Sequence, residues 1–219
     1  MTWKSFLKTT LNENIEKIGL SATYASLSTV RADNTPAVRT VVIRGFLAEH
    51  HKEQTGYESD MLIVTTDKRS QKIKEIENNP NTEISWYMNG SMSQFRIRGT
   101  IFPIYKGSST LNWQDSVQPG TSDAKSLSFQ AFERQKTINP WEAERLRQFI
   151  LFDPKMRAEM ANQDRYEALE IEEIDEKGWF QHKEYQELLE EAYTNFVVLV
   201  VQVKSVGYWS PSSGLKQLL

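Results

Sequence analysis

The hydrophobic rhythm of the chain changes along its length, and each change predicts a different kind of element. Over residues 3–18, Trp3, Phe6, Leu7, Leu11, Ile15 and Ile18 recur at helical intervals, the spacing of one apolar stripe on an amphipathic helix. From residue 23 the period shortens to two. "TYASLSTVRA" and "AVRTVVIRGFLAE" flank the turn sequence "DNTP", which predicts a hairpin. "MLIVTT" at 61–66 reads as a short buried strand, and "DKRSQKIKEIENNP" follows it. There Ser70 is placed to cap a short helix that turns Ile73 and Ile76 inward and stops at Asn79-Pro80. "TEISWYMNGSMSQFRIRGTIFPIY" predicts two strands around Asn89-Gly90. Residues 23–106 therefore read as mainly antiparallel strands with one inserted helix, the pattern of a small barrel or sandwich.

Beyond that unit the pattern loosens. Residues 107–136 are rich in Ser, Gln, Thr and Asp and predict a surface excursion. "PWEAERLRQFILF" predicts a helix with Pro140 in its first turn. The stretch 156–192 carries the acidic clusters "EIEEIDE" and "ELLEE", the signature of a solvated helical face. "NFVVLVVQVKSVGYW" at 195–209 is strongly β-branched and predicts a last strand, central in the sheet. The expected organisation is a single domain over 1–219 with a polar and helical insert at about 107–192 before the last strand.

Composition narrows what such a domain can do. The net charge is −3, so no whole-protein field attracts nucleic acid. The longest apolar run, "FVVLVV" at 196–201, is far short of the roughly 20 residues of a spanning helix. The first 20 residues lack a signal peptide's apolar segment. With no cysteine, disulfides, thiolate metal sites and cysteine nucleophiles are excluded, and the expected location is the cytoplasm, or also the nucleus. The three histidines include the adjacent pair His50 and His51 in a polar loop, and His182, expected at the surface. None has zinc-ligand spacing, and no metal is expected. The ten glycines form neither GxGxxG nor GxxxxGK[ST], so any bound phosphate must be held by side chains and a helix start.

Three places gather groups suited to that task. In "RTVVIRG" the parity of a strand puts Arg39, Val41 and Ile43 on one face and Thr40, Val42 and Arg44 on the other. The two arginines then approach a common ligand only at the strand end, or where two sheets or subunits meet. In "TTDKRSQK", Thr65 and Thr66 end a strand while Lys68, Arg69, Ser70 and Lys72 gather at a helix start. Free backbone N–H groups, the positive dipole end and nearby cations make such a place receptive to phosphate. In "SQFRIRG", Gln94, Arg96 and Arg98 share a polar face opposite Phe95 and Ile97. Simple packing accounts for the aromatic residues: one of Trp86 and Tyr87 faces inward, and Phe95, Phe102 and Phe196 belong to the core. Lys68 is expected in solvent, and Asp67 as a cap of the helix start rather than a partner of Arg69.

"RTVVIRGF", "TTDKRSQK", "IENNP", "ISWYM" and "QFRIRG" occur in the order and spacing of the pyridoxamine 5′-phosphate oxidase-related, FMN-binding split-barrel family. The chain resembles its divergent branch, whose members mostly lack an assigned substrate. The resemblance covers about residues 3–106 and continues weakly through "RLRQF" and "NFVVLVVQVKSVGYW". It implies a split β-barrel of Greek-key antiparallel strands with peripheral helices, mainly β in an α+β chain, and FMN bound at the interface of a homodimer. On this resemblance Arg39, Thr40, Val41, Val42 and Arg44 belong to the strand beside FMN, with the two arginines facing its phosphate, ribityl chain or ring edge. Thr65 and Thr66 line the isoalloxazine end, Ser70 and Lys72 bind the phosphate, and Gln94 hydrogen-bonds the flavin ring. Gln71 stands where pyridoxamine phosphate oxidases usually carry arginine, and Arg69 is positioned to supply the lost charge. After Trp209 the chain reads "SPSSGLKQLL", without the Arg/His-bearing segment of the true oxidases. The implied function is an FMN-dependent oxidoreductase acting on a small substrate other than pyridoxamine phosphate, with no catalytic residue assigned. Two alternatives stand beside it: a non-catalytic FMN or pyridoxal-phosphate binder or carrier, and a degenerate barrel acting through the 107–192 insert as an interaction module.

Overall fold

The structure, a computed structural model, describes residues 2–49, 59–108, 140–152, 154–161 and 183–219. The His50–His51 loop, His182, residues 109–136 of the polar excursion and the cluster "EIEEIDE" lie outside the described residues. α1 (Trp3–Ile18) leads through a 3-10 turn (Gly19–Thr23) into β1 (Tyr24–Val30) and β2 (Pro36–Phe46). β3 (Leu62–Asp67), α2 (Gln71–Asn78), β4 (Asn81–Met88) and β5 (Ser93–Ile104) follow. Then come α3 (Pro140–Ile150), α4 (Pro154–Glu159), α5 (Lys183–Asn195), β6 (Phe196–Ser210) and β7 (Gly214–Gln217). Among the described residues every strand pairing is antiparallel.

The strand order is β3-β2-β1-β4-β5-β6-β7, and a further pairing of β3 with β6 closes a barrel. β6 is long enough to serve two partners on one edge: Phe196–Val201 pair with β3, and Gly207–Ser210 with β7. The mainly β, helix-flanked split barrel expected from the sequence is the architecture found. β7 corrects one detail, because β6 is not the last strand. Its residues Gly214, Leu215, Lys216 and Gln217 are all exposed, so no alternation of apolar positions marks them as a strand.

Inward-facing residues pack the barrel interior, with Leu27, Ile84, Trp86, Phe95 and Ile97 out of contact with water. Trp86 satisfies its indole by donating Nε1–H to the Ala22 carbonyl at 2.8 Å, while Tyr87 points outward. α1 stoppers one end: Trp3 meets Phe46, and Phe6 sits between Phe95 and Tyr208. Its buried stripe is Trp3, Leu7, Thr10 and Asn14, rotated from the predicted one, and Leu11, Ile15 and Ile18 are only half-buried. Asn14 draws the helix round by donating Nδ2–H to the Thr10 carbonyl and to Ser91 Oγ in the β4–β5 turn. That turn is longer than predicted, with its left-handed residue at Met92 (φ 49°). Gly90 is required for space instead, since a Cβ there would lie 2.7 Å from Asn14 Oδ1.

A second core forms on the outside of the barrel. Ile63, Val198, Val200 and Ile104 face outward and are covered by Phe149, Phe152, Leu188, Leu189 and Ala192 from the helical region. Each such aliphatic residue removed from water contributes about 1.5–3 kcal/mol. Phe102, expected in the core, is half-buried, whereas Phe95 and Phe196 are fully buried. The outer face of β1, β4, β5 and β7 is different: it exposes Tyr24, Tyr87 and Leu215 among Ser26, Ser28, Ser85, Arg96 and Arg98. Among the described residues no helix is long and apolar enough to cross a membrane.

Candidate functional site

The strand parity read from the sequence holds in three dimensions. Ala37, Val41 and Ile43 are buried on the inner face of β2, while Val38, Thr40 and Val42 lie outward. The register shift falls after Ile43, at Gly45 with φ 102°, so it does not bring Arg44 round to the face of Arg39. The two arginines meet different surroundings.

Arg39 lies opposite Leu27 on β1 and reaches the end of the barrel that α2 closes. Its Nη1 donates to Thr29 Oγ1 at 2.5 Å, and its Nη2 to Glu75 Oε2 at 2.6 Å. Thr29 in turn donates to the same carboxylate oxygen at 2.5 Å. Glu75 is 3% exposed. Burial works to raise its pKa, but the hydrogen bonds from Thr29 and Arg39 and the charges of Arg39 and Arg31 outweigh it, and the carboxyl titrates below the usual range.

Beside this pair lies an ammonium without a carboxylate. Lys72 Nζ donates to Thr66 Oγ1 at 2.8 Å and Ser70 Oγ at 3.2 Å, and no ion pair to it is found among the described residues. Burial, reinforced by the positive charge of Arg39, holds its pKa below the ordinary lysine value. Ser70 is the N-cap of α2, but its hydroxyl caps no backbone N–H and lies 3.1 Å from Thr66 Oγ1 instead. Thus the sequence "TTDKRSQK" folds so that two hydroxyls, an ammonium and a helix N-terminus share one mouth with Arg39, an arrangement suited to an anion.

Other predicted residues go elsewhere. Arg44 lies on the outer side of β2, with Nε 3.4 Å from Thr65 Oγ1 and its guanidinium 4.4 Å from the Phe152 ring centre. Thr40 and Val42 are on the same outer face, and the Val41 side chain is in the core. Gln94 donates Nε2–H to Ser85 Oγ at 2.8 Å, between Tyr87 and Trp209 in register. Arg69 joins neither group. It is held by both oxygens of Asp67 and donates to the carbonyls of Met160 and Ala161. Asp67 accepts from the Arg69 backbone N–H as well, so it orients Arg69, and Ser70 occupies the cap position expected for it. Lys68 is exposed, as expected.

Thr29, Glu75 and Phe152 were not singled out from the sequence. A signal existed for Glu75, which lies three residues after Lys72 on the same helix face. Phe152 had none, because its approach to Arg44 is purely tertiary. Among the described residues no cluster of His, Asp or Glu could hold a metal.

Residues 1–105, which contain all of these positions except Phe152, Met160, Ala161 and Trp209, match the family model described as pyridoxamine 5′-phosphate oxidase, FMN-binding domain. Over these residues the chain is similar to the pyridoxamine 5′-phosphate oxidase-like split-barrel family. It is 37% identical over 99 residues to pyridoxine/pyridoxamine 5′-phosphate oxidase 2 of Arabidopsis thaliana, a match covering 45% of this chain and 44% of that one. To the pyridoxine/pyridoxamine 5′-phosphate oxidase of Psychrobacter sp. (strain PRwf-1) it is 36% identical over 98 residues, covering 44% and 40%. The chain thus spans less than half the length of these curated relatives. A pyridoxamine 5′-phosphate oxidase-related, FMN-binding protein of Nostoc punctiforme PCC 73102 shares the fold of this split barrel. The TM-score is 0.63 at 19% identity, over 99% of this chain and 88% of that one.

Proposed function

We propose that this split barrel binds FMN, with its phosphate in the mouth at α2, and serves as an oxidoreductase for a small substrate. The observation that carries the reading is the Lys72 ammonium, held by two hydroxyls and no carboxylate, beside Arg39 at the start of α2. A phosphate monoester suits that mouth because arginine, ammonium, hydroxyl and backbone N–H groups all donate to its oxygens. Bound FMN would supply the electron-transfer chemistry, which leaves the protein to bind and orient. Lys72, Ser70, Thr66 and Arg39 would hold the phosphate. Thr65, Arg44, Thr40 and Val42 would line the outer side of β2, with Gln94 offering its amide from the open face.

The uncovered outer face supports a homodimer with the flavin between subunits. Exposed Tyr24, Val38, Tyr87, Trp209 and Leu215 lie across strands that no described helix covers, an apolar patch of the kind that marks an interface. A monomeric mass by light scattering would remove that part of the reading. The sequence of 107–136, which offers no clear counterpart to the oxidases' substrate-phosphate Tyr/Arg/Ser set, supports a substrate other than pyridoxamine phosphate.

A second reading, a non-catalytic FMN or pyridoxal-phosphate carrier, is favoured by one observation. The carboxylate of the mouth, Glu75, is kept ionised and occupied by Arg39 and Thr29, leaving it poorly suited to move a proton. The visible spectrum of the purified protein tests the shared premise. Flavin bands near about 375 and 450 nm are expected, from the ring that carries the chemistry. A colourless protein that FMN cannot saturate would sink both flavin readings. Anaerobic reduction of the bound flavin, followed by oxygen and candidate amines, then separates enzyme from carrier.

A further inference from the structure

Arg39 does not stand alone in the mouth: it is one corner of a closed triangle with Thr29 and Glu75. Thr29 Oγ1 and Glu75 Oε2 are 2.5 Å apart, and Arg39 donates to them from Nη1 and Nη2 at 2.5 and 2.6 Å. A guanidinium has five N–H groups in a rigid plane. When one hydrogen of each terminal nitrogen is taken by this pair, the plane is fixed, and the edge formed by Nε and Nη2 keeps its own donors. That edge is the forked face with which arginine meets phosphate oxygens in pairs. Glu75 is held in turn by α2, whose Ile73 and Ile76 are anchored in the barrel interior, and the same helix carries Lys72. One short helix therefore sets both cations of the mouth.

We propose that Glu75 is the positioning residue for phosphate recognition, holding Arg39 by its two terminal nitrogens so that its side edge faces the ligand. The inference rests on the FMN reading above and adds a residue to it. Glu75 also shapes the charge of the mouth, since its carboxylate pairs directly with Arg39 while Lys72 is held by hydroxyls. Positioning and repulsion make opposite predictions. If Glu75 acts only as a nearby negative charge, its removal strengthens phosphate binding. If it positions Arg39, its removal releases the guanidinium and weakens binding.

The test compares FMN with riboflavin, which has the ring and ribityl chain but no phosphate, by fluorescence titration of the full apo chain. Glu75→Ala is expected to lower the preference for FMN over riboflavin about tenfold, the usual worth of one charge-assisted hydrogen bond. Glu75→Gln keeps an acceptor oxygen in the same place and is expected to restore the preference to within about threefold of the parent. Thr29→Val removes one corner without touching α2, and a smaller loss in the same direction is expected should Glu75→Ala fail to fold. An unchanged or increased preference in Glu75→Ala, or in Thr29→Val when the first variant is unfolded, would overturn the assignment. So would a Glu75→Gln variant as weak as the alanine. A parent chain with no preference for FMN would instead bring down the phosphate reading itself, and this inference with it.

Discussion

Arg39 and Arg44 stand five positions apart on one strand, yet the protein treats them as different chemical objects. Arg39 meets a hydroxyl, a carboxylate and a neighbouring ammonium at a barrel end. Arg44 meets a phenyl ring and a single long contact to Thr65 on the helix-covered flank. The first set of contacts fixes the orientation of a guanidinium while leaving an edge for a ligand. The second shields a guanidinium with an apolar partner, so Arg44 doubles as a seam between barrel and helices. The difference teaches that charge at a strand end says little until its face is known. The face decides whether polar or apolar elements come to meet it.

The comparison is broken most severely at Phe152. It is buried, packs edge-on against Phe196 at 5.6 Å and carries Arg44 on its face. Phe152→Ala is expected to lower the unfolding free energy by about 3 kcal/mol, the cost of a large cavity in a core. Urea denaturation measures it. If Arg44 is a seam residue, Phe152→Leu recovers most of that loss while the barrel interior stays intact. An alanine variant as stable as the parent would show that the outer core does not depend on this contact.

At the other arginine the expected effect lies in binding rather than folding. Arg39→Ala and Lys72→Ala should each weaken FMN by about 1.5–3 kcal/mol, the worth of hydrogen bonds to a charged group, measured by titrating the apo protein. Unchanged affinity in both would remove the mouth as the phosphate site.

Much of this contrast is legible in the sequence alone. The alternation of "RTVVIRG" assigns its two arginines to opposite faces, and "TTDKRSQK" places Thr66, Ser70 and Lys72 around a helix start. Both follow from local geometry, period two in a strand and 3.6 in a helix, which a sequence displays directly. What surrounds each face was not legible, because Glu75, Thr29 and Phe152 arrive from 36, 10 and 108 positions away from their arginines. The rotation of α1 was hidden for a similar reason. Asn14 is buried by its bonds to Thr10 and Ser91, and a hydrophobic stripe cannot reveal a polar residue turned inward by a distant turn. β7 escaped notice because a strand exposed on every residue has no pattern to read.

A titration sharpens the Arg39 side further. The folded Glu75 carboxyl has its pKa below the ordinary value, because hydrogen bonds and positive charges outweigh the burial that acts to raise it. A depressed folded pKa means that the ionised carboxylate contributes stability above the unfolded value, about 4.3 for a glutamate. That contribution is lost as the pH falls through the lower folded value. The parent should therefore lose stability relative to Glu75→Gln as the pH is taken below about 4. Denaturation curves of the two proteins that stay parallel throughout that window would contradict the paired, ionised Glu75.

The smallest expected effect belongs to Arg69, and it separates a cation near a phosphate site from a cation in one. Arg69 lies within three residues of Ser70 and Lys72, but its guanidinium points away from the mouth. Asp67 holds it through both carboxylate oxygens, and the Met160 and Ala161 carbonyls accept from Nη2 and Nη1 at 3.0 and 3.1 Å. Asn195 donates to the same Met160 carbonyl, and its own carbonyl accepts from the Lys68 N–H. Arg69 thus ties the turn after α4 to the turn before α2, at the junction where α5 becomes β6. Its charge is largely answered by Asp67 and is half-exposed to screening water. Arg69→Ala should therefore leave FMN affinity within about threefold of the parent and lower stability by about 1 kcal/mol for the lost hydrogen bonds. Titration and urea denaturation on one preparation measure both. A loss of FMN affinity as large as that of Lys72→Ala would mean that Arg69 leaves Asp67 to take the ligand, and the division between mouth and seam would have to be redrawn.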